Sequence, residues 1–358
     1  MTTMRTRPLL QPQSGYSMVE LMVAITLSLF VLAGMGLTLT NTNNSRAELE
    51  RALQQIENGR YAMQILGQDL RHAGYYGRYV SDLTPPAALP DPCAVDLAAL
   101  EQGMALPLQG YDSPATLPAA LAGCLDSRNF VPGTDILVIR RVQTAAPVEA
   151  ASAAPGQIYL QTTAYPSGPR YVLGDGVDPS VFTLEEKKSD HSGAVVPAGL
   201  LPYRVHIYFV SPCDVPAAGD ACDGVTDDNG RPVPTLKRLE LASEGLGSPI
   251  MRTAPLVEGV QDLQIDYGID DPAAGSSVGD GSPDRYVKSP TATAEWANVV
   301  AVQLNLLAVN TEDTRGHLDT KTYNLGLEGS AGPFNDTVKR HAYSAVVRVN
   351  NVSSQREQ

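Results

Sequence analysis

Four groups of residues in this 358-residue chain have the types and spacing that chemistry would need. The first is the cysteines, Cys93, Cys124, Cys213 and Cys222. A zinc site would want a Cys-x-x-Cys pair or a nearby histidine, and neither is present. The second is the histidines, His72, His191, His206, His317 and His341, of which no two are close in sequence. They form no local metal box, and His206 reads as a satisfied residue on a strand. The third is Gly275-Ser276-Ser277-Val278-Gly279, which fits G-x-S-x-G. A nucleophile elbow requires a strand directly before and a helix directly after. Here Asp270-Asp271-Pro272 precedes and Asp280-Gly281-Ser282-Pro283 follows, so the segment reads as a polar loop. The fourth is two acidic, glycine-containing stretches, 223–230 and 270–284. Val225 and Val278 stand where an EF-hand-type loop needs oxygen ligands, so both read as solvated turns. The chain has no P-loop and no dinucleotide fingerprint. The expectation is no catalytic residue, no metal and no cofactor. A membrane-anchored enzyme would need a convergent catalytic group that the sequence does not offer.

Composition limits the partners. Net charge is −13, which disfavours direct nucleic-acid binding, because phosphate contacts need clustered Lys and Arg. Hydrophobic residues are 43% and charged residues 18%, enough to bury a core and too few charges for a disordered chain. Abundant Gly and Pro point to a loop-rich, β-rich body.

Whatever function the chain has must be positioned by its N-terminus. Residues 1–15 contain Arg5 and Arg7 and no acid, whereas residues 21–39 carry no charge at all. As a helix that run spans about 28 Å, close to the ~30 Å hydrocarbon core of a bilayer. No small-residue cleavage site follows the run; the cleavage candidate is Gly15, before it. The positive-inside rule keeps Arg5 and Arg7 cytoplasmic and places the long C-terminal body across the membrane. In that oxidising compartment nearest-neighbour pairing gives Cys93–Cys124 and Cys213–Cys222, one of three possible connectivities. Glu20, at the edge of the apolar run, needs a partner. If the chain is cut after Gly15, the new ammonium of Tyr16 lies four residues away, one helical turn, and on the same chain or a neighbour it could neutralise Glu20. The alternative is a glutamate that simply reaches the headgroup level.

No proline occurs between Tyr16 and Pro85, so the helix has nothing to break it. Leu49, Ile56, Met63 and Leu70 recur every seven residues, and Leu53 and Leu66 widen the stripe. With Gly59 interrupting it, the stripe reads as a face packed on a sheet, ending near Gly74. Residues 34–41, with Gly34 and Gly36, have weak helix propensity. They read as a plain helix with two packing glycines or as a stretch that unwinds on assembly. Beyond it, alternating patterns predict strands over 135–142, 158–162, 203–210, 236–241, 263–269, 299–309 and 343–349. Residues 298–309 are the most apolar and read as a central strand buried on both faces. Residues 85–132, 145–155 and 270–290 read as loops or insertions.

The run from Gly15 through Tyr16-Ser17-Met18-Val19-Glu20 to Ile25 resembles the class III leader junction of type IV pilins and pseudopilins. Residues 58–63, 69–77, 257–268 and 296–302 and the closing strand at 343–351 are similar to PilW-type minor pilins. The resemblance implies an α+β, type IV pilin-like fold: a long N-terminal helix packed on an antiparallel β-sheet with long loops. It divides the chain into a leader (1–15), a transmembrane and assembly helix (16–39), an amphipathic extension (40–74) and an extracytoplasmic body (75–358). It further implies cleavage after Gly15 by a prepilin peptidase, N-methylation of Tyr16, and pairing of Glu20 with a neighbour's N-terminus. Tyr16 stands where the family usually has Phe. The implied partners are other minor pilins, the major pilin, the inner-membrane assembly platform and a tip adhesin. The implied location is the inner membrane, with the body in the periplasm, and then the extracellular pilus. A minor pseudopilin of type II secretion shares the anchor, and an adhesive module built on the insertions is a further alternative. Gly15→Asp is expected to leave an uncut membrane precursor; N-terminal sequencing that finds the same mature end in this variant would contradict the assignment.

Overall fold

The computed structural model describes residues 15–164, 168–187, 193–245, 247–272 and 279–357. The leader before Gly15, His191 and residues 275–278 of the G-x-S-x-G stretch lie outside the described residues.

Helix α1, Met18–His72, runs without interruption through Gly34 and Gly36. Gly74 follows with φ +71°, a left-handed turn that a β-carbon would strain. The chain divides into two units, residues 1–51 and residues 52–358. In the first, every described residue up to Arg46 is exposed. In the second, the later part of α1 buries Gln55, Gly59, Ala62, Leu66, Asp69 and Leu70.

That face corrects the expected seven-residue stripe. Leu66 and Leu70 are fully buried, but Leu49, Leu53 and Ile56 are exposed and Met63 only half-buried. A straight helix drifts by about 20° per heptad, so three heptads carry Leu49 some 60° away from Leu70. The buried residues follow the helix's own period instead. Gly59 faces the Tyr343 ring, which a β-carbon there would overlap. Gln55 donates to the carbonyls of Ala308 and Lys339 at 3.0 and 2.8 Å. Small residues and one amide thus let the helix lie close against strand backbone.

Among the described residues fifteen strands follow. They are β1 (Leu108–Tyr111), β2 (Ile136–Val142), β3 (Tyr159–Thr162), β4 (Tyr171–Gly174), β5 (Glu185–Lys187), β6 (Val195–Pro197), β7 (Leu200–Ser211), β8 (Thr235–Ser243), β9 (Pro249–Glu258), β10 (Val260–Ile269), β11 (Arg285–Val287), β12 (Val299–Val309), β13 (Tyr323–Asn324), β14 (Ser330–Ala331) and β15 (Arg340–Arg348). Short helices α2 (Leu97–Gly103), α3 (Thr293–Ala297) and α4 (Asn350–Arg356) intervene. The single expected sheet is in fact two main sheets and two small hairpins. The seven-stranded sheet runs β1-β2-β7-β3-β4, with β8 on β7 and β9 on β8. The four-stranded sheet runs β11-β10-β12-β15, with β12 central and almost wholly buried, as its unbroken apolar run implies. All pairings are antiparallel.

Alternation along β2 and β7 gives the interior two main cores, beside a small third cluster of Tyr159, Phe182 and Leu200. Leu137, Ile139, Tyr208 and Val210 face one way, onto Leu66 and Leu70 of α1 and onto Ile265, Tyr267, Val302 and Leu304 of the second sheet. Ile136, Val138, Val205, Ile207 and Phe209 face the other way, onto Leu100, Met104, Leu121 and Phe130. The stretch 85–132 is therefore not a mere insertion: it carries β1 and α2 and supplies much of the cover over one sheet face. Each fully buried leucine contributes about 1.5–3 kcal/mol. β9 was absent from the strand expectations because Pro249 and Pro255 break its pattern; it is an edge strand, where proline is tolerated.

The two sheets are tied at Asp135. Its N–H donates to the Leu263 carbonyl (2.9 Å), and its carboxylate accepts from the N–H groups of Ser113 and Ile265, both at 2.7 Å. Nearby, Gly110 of β1 faces Tyr267 of β10, whose ring is fully buried against Trp296. A β-carbon at 110 would overlap the Tyr267 hydroxyl, and the ring has nowhere to go. Gly110→Ala is expected to cost about 1–3 kcal/mol; an unchanged denaturant midpoint would rule out this close approach.

Candidate functional site

The N-terminal segment is an isolated helix start. The Ser17 hydroxyl accepts from the Val19 N–H (3.3 Å) and the Ser17 carbonyl from the Leu21 N–H (3.0 Å), which caps α1. Tyr16 lies just outside the helix and is 87% exposed. Glu20 sits in the first turn, where the helix dipole favours a carboxylate, and it is exposed. Among the described residues nothing pairs with it.

From there the helix is long and apolar enough to span a membrane. Its most apolar eighteen-residue window has mean hydropathy 2.2, and none of that window is buried. Apart from the helix's own backbone, Gly34 and Gly36 have no atom of the described residues within 4 Å of where a β-carbon would stand, so no packing among those residues requires them. The hydroxyls in the run are satisfied locally: Thr26, Ser28, Thr38, Thr40 and Thr42 each donate to a carbonyl one turn back, at 2.7–3.1 Å. The segment therefore offers a surface of hydrocarbon with no unsatisfied hydroxyl donor.

In the body, Cys93 is bonded to Cys124 and Cys213 to Cys222, with Cα separations of 5.6 and 5.9 Å. Cys213, Cys222 and Asp227 are the one cluster with metal-ligand atoms close together among the described residues. Both sulfurs are committed to the disulfide. The Asp227 carboxylate accepts from the N–H groups of Ala217, Asp223 and Gly224, and Asp228 from those of Asp214, Val215 and Val233. The acidic loop is thus organised by its own backbone amides. The histidines are dispersed: His72 contacts the Gln68 carbonyl (2.7 Å), His341 packs on Tyr343, and His206 is buried.

The sequence expectations missed the polar group that holds α1 to the seven-stranded sheet. Asp69 is 4% exposed and lies in the buried arc between Leu66 and Leu70. Its carboxylate accepts from Arg141 Nε (2.5 Å), His206 Nδ1 (2.6 Å) and Tyr208 Oη (2.8 Å). The signal was present as an acid inside an apolar helix face, and Arg141, His206 and Tyr208 share one side of β2 and β7. Burial raises the Asp69 pKa, but its charged and hydrogen-bonding partners outweigh burial and hold it well below the usual carboxylate range. Burial lowers the His206 pKa, with Arg238 and Arg141 adding to the effect against Asp69. His206 and Tyr208 donate to the carboxylate, and Arg141 is its permanent cation. Asp69→Asn should cost about 3 kcal/mol at pH 7, the scale of a broken buried pair. Because the folded pKa is depressed, the wild-type advantage is complete above ~3.9 and fades only as pH falls below it. Urea titrations at pH 7 and pH 3 check this; equal midpoints for both proteins at pH 7 would reject it.

Residues 224–351 match the family described as Type IV Pilus-assembly protein W, and residues 10–36 match the Prokaryotic N-terminal methylation motif. The first match covers β8 through β15 and so includes the whole four-stranded sheet. The second covers Gly15, Tyr16, Glu20 and the apolar start of α1. No curated protein matches the chain. A methylation motif on a single N-terminal apolar helix fits a membrane-anchored pilin and implies processing by a prepilin peptidase. With that motif at one end, a PilW-family match near the other, and an α+β body of antiparallel sheets on the later part of the helix, the chain is similar to PilW-type minor pilins of the type IV pilin-like kind.

Proposed function

We propose that the chain is a minor pilin that primes type IV pilus assembly and is incorporated at or near the pilus tip with other minor pilins. The supporting observation is an apolar helix that its own chain leaves wholly uncovered, directly after a methylation motif. Such a surface is covered by lipid while the subunit waits and by neighbouring helices once it joins a filament. The leader, with Arg5 and Arg7, stays cytoplasmic, and the peptidase cuts after Gly15. Tyr16 becomes the methylated N-terminus, and its ammonium pairs with Glu20 of an adjoining subunit. The body lies in the periplasm, where its two disulfides persist. The inner-membrane assembly platform extracts the subunit, and other minor pilins, the major pilin and a tip adhesin are its neighbours. Its role is structural, and its one enzymatic encounter is as the peptidase's substrate. The PilW-family match favours a pilus over a type II secretion pseudopilus.

Glu20→Ala should be cleaved normally yet enter sheared filaments about tenfold less, the worth of ~1.4 kcal/mol in one contact. Mass spectrometry of the mature N-terminal peptide, with and without the peptidase, reads the cut, and immunoblots of filaments read incorporation. Wild-type levels of Glu20→Ala in filaments would remove the pairing, and a retained Met1 there would remove the whole reading.

A further inference from the structure

We propose that an arginine-lined groove on the seven-stranded sheet docks an acidic polypeptide segment of a neighbouring pilus subunit; the neighbour's identity rests on the assembly role proposed above.

The groove, of about 640 Å³, is lined by residues of β2, β7, β8 and β9 and of the turns beside β3. Arg141, Arg204, Arg238 and Arg252 all border it, on a chain whose net charge is −13. Arg141 and Arg204 are direct cross-strand partners, an arrangement that destabilises a sheet unless something offsets it. Two carboxylates are at hand, and both are occupied. Asp69 is held by Arg141, His206 and Tyr208 as described above. Glu240 takes Arg238 at 2.6 Å on one oxygen and Arg252 at 2.7 Å on the other. Arg204 has only neutral acceptors: Gln143 at 3.1 Å, and Gln157 and the Leu241 carbonyl at 3.4 Å. No carboxylate among the described residues pairs with it. Arg238 also keeps a buried Nε–H with no acceptor.

Four guanidinium groups against two committed carboxylates leave the groove positive, with donors unused. Guanidinium forks match carboxylates in a planar, two-bond geometry that a point charge cannot supply. Ala154, Tyr159, Pro202 and Ala242 also line the groove and give it apolar surface for peptide backbone and side-chain stems. Charge complementarity therefore selects an acidic segment, and a filament would hold one against this face at high local concentration.

The test uses the full chain in detergent micelles and a fluorescent ten-residue peptide rich in Asp and Glu. Saturable binding should weaken as salt is raised. It should fall about tenfold or more in Arg204→Gln and in Arg252→Gln. Arg252 is 63% exposed, so that variant tests the groove without disturbing the interior. Failure of the wild-type chain to bind, or binding by either variant as tight as the wild type's, overturns the proposal. So does an oligonucleotide of equal charge that binds more tightly with the same arginine dependence. In cells, a photo-crosslinker at position 252 should join the chain to an acidic peptide of another pilus subunit; crosslinks confined to lipid or to the same chain overturn the partner. The purified chain reports on the groove alone, whereas absence of the wild-type chain from filaments would count against the assembly role, so the two failures are distinguishable.

Discussion

A stretch of helix with mean hydropathy 2.2 and no cover from its own chain sets the terms for everything else. Each large apolar side chain left in water forgoes roughly 1.5–3 kcal/mol, so a run such as Leu21, Ile25, Leu29 and Leu32, each more than half exposed, has no stable existence as a solvated rod. It must sit in lipid or among other helices. Under that constraint Glu20 acquires meaning, since a carboxylate at the margin of such a run is costly unless a cation reaches it.

The body meets the opposite demand, to bury surface and stay rigid. From Gln55 onward the helix exchanges bulky apolar residues for Gly59 and Ala62, which admit strand backbone at short range. Leu66 and Leu70 then enter a core shared by both sheets, and Asp69 adds a charged fastening of the helix to the seven-stranded sheet. A buried carboxylate with three donors constrains position more sharply than another leucine would, because each lost donor leaves a buried acceptor short of a partner. The second core gives the seven-stranded sheet its other cover, drawn from the stretch around Leu100 and Phe130.

Much of this was legible beforehand. β12 could be read almost to the residue, because a strand buried on both faces is an unbroken apolar run. The facing of Ile136 against Leu137, and of Tyr203 against Arg204, followed from simple alternation. The methylation motif was visible because Gly15, Glu20 and an uncharged run stand in register. What escaped detection depended on contacts distant in sequence. The helix's buried face was misjudged because heptad spacing looks regular in text while the straight helix rotates away from it. The role of Asp69 could not be seen without knowing that Arg141 and His206 lie across from it. Strand β9 was hidden by Pro249 and Pro255, and the division into two sheets by the absence of any local mark at a sheet boundary.

The back-bonded threonines and serine of the apolar run have one more implication. With those hydroxyl hydrogens turned onto the helix's own carbonyls, the run keeps no hydroxyl donor for another helix. In the filament proposed above it would therefore meet an adjoining shaft by shape and dispersion, forces that scarcely distinguish one greasy cylinder from another. Selectivity over who stands next to whom would then fall to the folded head, and a change of neighbour could be acquired without redesigning the stem.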